Sequence, residues 1–233
     1  GADITIDLSA MGNFSSAGDL KITVGSGNDE VTGTSGRDTI IGNGGDDTFI
    51  ATGGDDSFTG GETGETAGVG DTVQYAGNRD GYQLTLLTDT NGFVIDISQV
   101  KDLDTVAGGD TGTDSLSEIE IVAFGDVSIN LADSVQLFDA GGALIATYAT
   151  IQAAVDASAG RATTDDFIRL EAGTFAENVT IGHPVSILGP NEGTAGSDAG
   201  RSAEAVIQGE ILVTAATGTV VIDGVEISNT SGP

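Results

Sequence analysis

Residues 24–59 read VGSGNDEVT, GTSGRDTII, GNGGDDTFI and ATGGDDSFT, four nonapeptides that follow one another without a gap. The sixth position of every nonapeptide is an aspartate: Asp29, Asp38, Asp47 and Asp56. A glycine stands two places before each aspartate: Gly27, Gly36, Gly45 and Gly54. An apolar residue stands two places after it: Val31, Ile40, Phe49 and Phe58. A flexible linker would not keep an apolar column in phase, so the spacing predicts a repeat of six-residue turns and three-residue strands.

These nonapeptides resemble the RTX repeat G-G-x-G-x-D-x-U-x, in which two repeats complete one coil of a parallel β-roll that binds calcium. The resemblance implies that calcium lies between stacked turns, with Asp29 stacked on Asp47 and Asp38 stacked on Asp56. Glycine lets carbonyl oxygens approach an ion closely, and carboxylates are hard anionic ligands that calcium prefers. Two or more calcium ions are expected, with ligands drawn from these turn positions: Gly25, Gly27, Asp29, Thr34, Gly36, Asp38, Asn43, Gly45, Asp46, Asp47, Thr52, Gly54, Asp55, Asp56, Glu62 and Asp71.

The repeats depart from the family pattern at the second position, where Thr34, Asn43 and Thr52 replace glycine. Asparagine tolerates the left-handed backbone region, whereas a β-branched threonine adopts it poorly. Weaker calcium binding is therefore expected in the two threonine turns.

Weaker echoes of the pattern flank the four nonapeptides. The segment 15–23 is a degenerate repeat in which Leu20 stands at the aspartate position. After the run, the sequence GGETGE offers Glu62 or Glu65, and GVGDTVQY supplies a last aspartate, Asp71. These flanking segments are included in the β-roll that the sequence predicts over residues 1–75.

The chain is strongly acidic, with 36 acidic against 7 basic residues and a formal net charge of −29. Self-repulsion of this size opposes compaction, so the calcium-free chain is expected to be expanded, at least in its first third. A site with a dissociation constant of ~10⁻⁴ M would stabilise the fold by roughly 1.4 kcal/mol at ~1 mM calcium. The acidity also argues against nucleic acid and anionic membranes as partners.

Other features bear on the setting of the protein. Cysteine is absent, so metal is the expected substitute for disulfides. The sequence contains no apolar run of about 18 or more residues, so no membrane span is predicted. The chain starts without a signal peptide and stops within a repetitive β pattern, so we expect it to be a piece of a longer protein. The RTX resemblance implies type I secretion from a Gram-negative bacterium, and hence a secreted or cell-surface location.

The sequence predicts three parts: a β-roll over 1–75, a β-rich module over 76–131, and a third part over 132–233. The middle part alternates apolar and polar residues, and it resembles the β module that often follows RTX repeats and caps the open end of the roll. Four of its acidic residues are candidates for another calcium site, although solvated turn carboxylates are the interpretation that we favour: Asp110, Asp114, Glu118 and Asp126.

The third part begins with ATIQAAVDASA, a short amphipathic helix whose predicted apolar face carries Ile151, Ala154, Val155 and Ala159, with Ser158 beside them. Short β-branched strands follow. The succession of this helix, EAGTFAENV and SILGPN resembles the opening of pectin-lyase-like right-handed parallel β-helices. The chain is thus expected to be all-β: a calcium-bound parallel β-roll, a capping module, and the N-terminal rungs of a parallel β-helix with a capping α-helix.

No catalytic residue is predicted. Asp165 and Asp166 precede a strand, Asp223 and Glu226 flank a glycine turn, and the single histidine, His183, is expected to be a surface residue. The favoured function is a structural segment of a secreted RTX protein of the adhesin, biofilm-matrix or surface-layer type, with an extracellular polysaccharide or a neighbouring surface protein as partner. The alternative is a polysaccharide lyase or epimerase. Mannuronan epimerases place the β-helix ahead of the repeats, the reverse of the order here.

Overall fold

The computed structural model describes residues 1–10, 20–61, 70–103, 112–161, 165–215 and 217–228. Two compact units divide the chain. Unit 1 comprises Gly1–Leu87 and Val94–Ala132, and unit 2 comprises Thr88–Phe93 and Asp133–Pro233. Strands predominate in both units, most of them paired in parallel, and the described residues contain one α-helix. The chain is therefore mostly β, as its sequence predicted.

Unit 1 contains two six-stranded sheets between which the chain alternates, so that two nonapeptides complete one coil. The first sheet has the order β1-β3-β5-β7-β11-β12, and the second has the order β2-β4-β6-β10-β9-β8. The strands are β1 Thr5–Asp7, β2 Leu20–Thr23, β3 Glu30–Thr32, β4 Asp38–Ile41, β5 Thr48–Ile50, β6 Ser57–Thr59, β7 Thr72–Gln74, β8 Tyr82–Thr88, β9 Val94–Asp102, β10 Thr113–Ser117, β11 Ile121–Ala123 and β12 Ser128–Asn130.

The strands of the repeats pair in parallel with the strand two repeats further on. Val31 lies beside Phe49, and Ile40 lies beside Phe58. Leu20 lies beside Asp38, so the degenerate repeat that ends at Thr23 keeps the register predicted from its sequence. The period of nine residues thus fixes both the strand length and the pairing.

The apolar column of the repeats forms the core of unit 1. Val31, Ile40 and Phe49 are fully buried, and the rings of Phe49 and Phe58 stack with centroids 5.7 Å apart. Full burial of each such side chain stabilises the fold by about 1.5–3 kcal/mol. The core is narrow, because each coil contributes only one such residue to each sheet.

Parallel pairing continues beyond residue 75, the predicted boundary between the first two parts. Strand β10 pairs in parallel with β6, and β11 pairs in parallel with β7. The outer strands of each sheet then run antiparallel, since β9 pairs with β10, and β12 pairs with β11. Antiparallel strands therefore cover the edges that the last parallel strands would otherwise leave open.

Unit 2 coils through three sheets, which have the orders β14-β13-β15-β18-β21, β16-β19-β22 and β17-β20. Successive strands from β15 onward belong to successive sheets, and each pairs in parallel with the strand one coil later, which is a β-helix-like path. Its elements are β13 Val135–Phe138, β14 Leu144–Tyr148, α1 Ile151–Ala159, β15 Phe167–Leu170, β16 Gly173–Phe175, β17 Val179–Ile181, β18 Val185–Leu188, β19 Ala205–Gln208, β20 Ile211–Val213, β21 Val220–Asp223 and β22 Val225–Ser228.

Helix α1 buries Ile151, Ala154 and Val155 against the core of unit 2. Ala159, predicted on the same face, is exposed, and the buried position is taken by Ser158. Ser158 is buried without an unpaired hydroxyl, because its Oγ donates to the Val155 carbonyl at 2.9 Å and lies 2.7 Å from Nε2 of His183. With nine residues, α1 is not long enough to cross a membrane, and it is the one α-helix among the described residues.

In unit 2, side chains from helix α1 and from a neighbouring loop form hydrogen bonds with backbone groups of α1 and β17. The Glu177 carboxylate accepts from the amides of Ile151 and Gln152, both at 2.9 Å, and the Thr150 hydroxyl accepts from the amide of Ala153. The Gln152 side chain bonds the amide and the carbonyl of Thr180 in β17, at 2.7 and 3.2 Å. Helix α1 therefore covers backbone groups of β17 that would otherwise face solvent.

We expect Glu177→Ala to weaken the helix N-terminus by about 1–2 kcal/mol, because two amide donors and a favourable charge near the helix dipole lose their acceptor. Hydrogen exchange at the Ile151 and Gln152 amides should accelerate roughly tenfold or more. Glu171→Ala is the matched control, since the Glu171 carboxylate accepts from the Ser134 hydroxyl at 3.1 Å rather than from an amide of the helix. Equal acceleration in both variants would contradict the capping role.

Candidate calcium-binding turns

Acidic side chains stack in two columns, one on each side of unit 1. The first column consists of Asp29, Asp47, Asp71 and Glu120. The second column consists of Asp38, Asp56 and Asp114. The amide of Asp29 donates to Oδ1 of Asp47 at 2.7 Å, and the amide of Asp38 donates to Oδ1 of Asp56 at 2.8 Å. Each carboxylate therefore holds the turn of the coil before it.

The same bond recurs along the rest of each column. The amide of Asp47 donates to Asp71 and that of Asp56 donates to Asp114, both at 2.8 Å. All five repeat aspartates, Asp71 included, are at most 3% exposed. The aspartates of each column therefore form a continuous series of buried carboxylates, and each carboxylate accepts a hydrogen bond from the main chain.

The carboxylate also folds back over its own turn. Oδ2 of Asp38 accepts from the amide of Thr34 at 2.6 Å, and Oδ2 of Asp29 accepts from the amide of Gly25 at 3.1 Å. A Cβ at Gly42 would lie 2.0 Å from Oδ2 of Asp47. The first-position glycine of such a turn is therefore required by the carboxylate that occupies its side-chain space.

Glycine at the fourth position lets successive turns touch. A Cβ at Gly45 would lie 2.7 Å from the carbonyl oxygen of Gly27, and a Cβ at Gly54 would lie equally close to that of Gly36. Both Gly45 and Gly54 have positive φ, 104° and 135°. Main-chain carbonyls thus meet the next turn directly, which supplies the neutral oxygens that a calcium shell of six to eight ligands requires.

The second position behaves differently in the two columns. Asn43 adopts the left-handed region with φ of 77°, as its side chain allows. Among the described non-glycine residues only Asn43 and Glu118 have positive φ, so Thr34 and Thr52 avoid that region. Their hydroxyls are used instead: Thr34 Oγ1 donates to Asp38, and Thr52 Oγ1 donates to the carbonyl of Thr34.

The supplementary acidic residues lie on the outer side of the turns. Asp46 exchanges hydrogen bonds with Asn28, whose Oδ1 accepts from the Asp46 amide at 3.2 Å. Asp55 is 60% exposed, lies 3.9 Å from Arg37, and accepts from the amide of Thr113 at 2.9 Å. The charges of Asp46 and Asp55 add to the negative potential of the columns, but the two side chains do not converge on one point. Glu62, Glu65 and Asp110 lie outside the described residues.

Burial disfavours the charged form of Asp56, a member of the second column. Desolvation raises the pKa of Asp56 from its usual 3.8 to about 8, opposed by the bond from the Asp38 amide and reinforced by the charges of Asp114, Asp38 and Asp55. A divalent cation beside this carboxylate would reverse that preference. Within the described ranges, no three Asp, Glu, His or Cys side chains form a group that could hold a metal ion. The oxygen donors that fit calcium here are carboxylates together with main-chain carbonyls.

Two column members, Asp114 and Glu120, were not identified as such from the sequence. The sequence had grouped Asp114 with three other acidic residues, but it lies above Asp56 and also accepts from the Tyr75 hydroxyl at 3.0 Å. Asp126 instead accepts from the amide of Arg79 at 2.8 Å. The signal was present, because GTDSLS repeats the glycine, aspartate and apolar spacing at Gly112, Asp114 and Leu116.

Two of the four acidic residues noted in unit 2, Asp166 and Asp223, have structural partners. Asp166 is buried and lies 2.7 Å from Nε of Arg161. Oδ2 of Asp223 accepts from the amide of Gly193 at 3.0 Å. His183, expected at the surface, is half-buried against Ser158.

The calcium-free protein should lose stability as pH rises. A carboxyl whose pKa is raised on folding binds more protons when folded, so the free energy of unfolding decreases between the unfolded pKa near 4 and the folded pKa of about 8. In chelator, we expect more far-UV β signal at about pH 5 than at about pH 8, and we expect Asp56→Asn to reduce this slope of β signal against pH and to raise the β signal at pH 8. Asp80→Asn, at an exposed position of unit 1, is the control. A slope that Asp56→Asn leaves unchanged would show that another group causes it.

Comparison with known families identifies the repeats. Residues 23–62 match the RTX calcium-binding nonapeptide repeat in 4 copies. No curated protein and no solved structure matches the chain. Repeats of this family bind calcium and are typical of secreted bacterial proteins. Residues 23–62 are therefore RTX calcium-binding repeats, and their turns are the ones that stack the two carboxylate columns.

Proposed function

We propose that the chain is a calcium-binding structural segment of a large secreted bacterial RTX protein, and that it folds when it binds calcium outside the cell. The observation that carries the proposal is the file of buried carboxylates in consecutive coils of an RTX repeat region. A Gram-negative source and type I secretion are the setting typical of such repeats.

Electrostatics explains why folding would depend on calcium. Neighbouring carboxylates stand one strand spacing apart, and unit charges at about 4.8 Å repel by roughly 3 kcal/mol at an effective dielectric constant of about 20. Each interior column member has such a neighbour on both sides. The hydrogen bonds from backbone amides to the carboxylates offset part of this repulsion, and bound calcium would remove the rest. Low calcium inside a cell would leave the repeats unfolded, and high calcium outside would fold them.

We assign the whole chain to the adhesin, biofilm-matrix or surface-layer type, with the antiparallel strands of unit 1 as its cap and unit 2 as the opening of a right-handed, pectin-lyase-like β-helix. The partners would be an extracellular polysaccharide or a neighbouring surface protein. In support, two of the four carboxylates of unit 2 noted in the sequence form structural contacts: Asp166 with Arg161 and Asp223 with the amide of Gly193.

A polysaccharide lyase or epimerase is the second candidate, and one observation favours it. Unit 2 contains an open polar groove of about 480 Å³ lined by residues that include Arg169, Asn191 and Glu192. Arg169 would be the group to face an acidic sugar, but its Nη1 already donates to Glu192 and to the carbonyl of Asn91. Incubation with alginate or pectate discriminates: release of unsaturated uronates (a lyase) or inversion of uronate C5 without chain cleavage (an epimerase) by the wild type but not by Arg169→Ala would favour the enzyme.

Calcium titration after chelation, followed by far-UV circular dichroism, tests the proposed function. We expect a cooperative gain of β signal at sub-millimolar to millimolar calcium that magnesium does not reproduce. Asp47→Asn should raise the calcium midpoint roughly tenfold, because Asp47 bonds the coil before it and is bonded to the coil after it. The exposed Asp80→Asn should leave the midpoint unchanged. A spectrum that is fully β in chelator and unmoved by calcium would refute the mechanism.

A further inference from the structure

We propose that residues 112–123 are two further calcium-responsive half-coils of the roll, with Asp114 and Glu120 as the terminal carboxylates of the two columns. They lie outside the residues that match the RTX repeat, 23–62, and the β8–β9 hairpin separates them from β7. The proposal rests on the proposed function, since it assigns a calcium response to additional residues of the same roll.

The second column extends through Asp114 with the geometry of the repeats. Oδ1 of Asp114 accepts from the amide of Asp56 at 2.8 Å, the distance at which Asp56 accepts from Asp38. Gly112 stands over Gly54 as Gly54 stands over Gly36, since a Cβ at Gly112 would lie 1.7 Å from the Gly54 carbonyl oxygen. The Gly54 carbonyl and the carboxylates of Asp56 and Asp114 therefore lie at this end of the second column. They are the same types of oxygen donor that are present between the repeat turns.

The first column extends through Glu120 by a modified version of the same turn. Oε2 of Glu120 accepts from the amide of Asp71 at 2.9 Å. Glu118, two places earlier, has φ of 56° at the position where the repeats use glycine. Its carbonyl oxygen packs so closely on Gly60 that a Cβ there would lie 2.0 Å away. The longer glutamate reaches the same amide that an aspartate would bond in a regular repeat.

A neutral group closes the second column. The Tyr75 hydroxyl donates to Oδ2 of Asp114 at 3.0 Å, and the Tyr75 ring packs on Tyr82 and Phe124 at centroid distances of 5.1 and 5.7 Å. Asp114 therefore has a carboxylate neighbour on one side and a phenol on the other. Docking of residues 112–123 adds negative charge to an already acidic stack, so it should require the same cation that folds the repeats.

Hydrogen exchange of the full chain, in chelator and across a calcium titration, tests this inference. We expect peptides from 112–123 to gain protection together with those from 24–59, with midpoints that agree within about twofold. If 24–59 responds to calcium and 112–123 does not, the inference fails and the proposed function stands. If neither segment responds, the proposed function itself fails.

Charge-neutral variants separate a calcium-responsive role from a purely structural one. Asp114→Asn keeps an oxygen that can accept from the Asp56 amide but removes the charge. It should raise the calcium midpoint of 112–123 at least about threefold and leave the protection at saturating calcium equal to that of the wild type, because the acceptor for the amide is kept while the charge that favours the cation is gone. Loss of protection at saturating calcium with an unchanged midpoint would indicate a structural role and overturn the inference.

Asp126→Asn is the matched control, because Asp126 bonds the amide of Arg79 and lies outside both columns. We expect its calcium midpoint to equal that of the wild type. A shift as large as that of Asp114→Asn would overturn the inference, since it would show that any lost carboxylate in this region weakens the response.

Discussion

The structure of unit 1 depends on one repeated interaction, the hydrogen bond from a turn amide to the carboxylate of the next coil. It aligns the turns, and it requires glycine wherever the carboxylate or the adjoining turn occupies side-chain space, as at Gly42 and Gly45. It also gathers negative charge, because bonding every coil in the same way places a carboxylate above a carboxylate. The geometry that defines the roll therefore also creates its need for a cation.

The apolar core and the carboxylate columns of unit 1 have opposite effects on the stability of the fold. Phe49 and Phe58 bury the apolar stripe, but the core has only one such residue for each sheet in each coil. The function that we propose therefore has a chain with 36 acidic residues and a well-defined hydrophobic pattern depend on bound ions to fold. Unit 2 differs, since α1 packs on its core and the acidic side chains of Asp166 and Glu177 have an arginine and two amides as partners.

Periodicity determined what the sequence could predict. Strands β3 to β6, their register and the phase of Leu20 follow from a repeat that recurs without interruption. The extension through Asp114 and Glu120 could not be found in this way, because each half-coil occurs only once and follows the β8–β9 hairpin. In the half-coil of Glu120, glutamates at 118 and 120 also replace the glycine and the aspartate of the repeat. A single match to a short pattern has little weight until parallel pairing brings it beside β6 or β7. The partial burial of His183 was missed for a similar reason, since it follows from a contact with Ser158, a residue distant in the sequence.

The second position of the repeats shows how a substitution that looks unfavourable can be accommodated. Threonine is poorly suited to the left-handed region, and the structure avoids that conformation at Thr34 and Thr52. The hydroxyl of Thr34 bonds Asp38, and that of Thr52 bonds the turn before it, so the second column is linked by side-chain oxygens. The first column has Asn43 in the left-handed conformation instead. The two sides of the roll therefore form the same turn differently: the first column uses the left-handed backbone conformation of Asn43, and the second uses hydrogen bonds from the hydroxyls of Thr34 and Thr52.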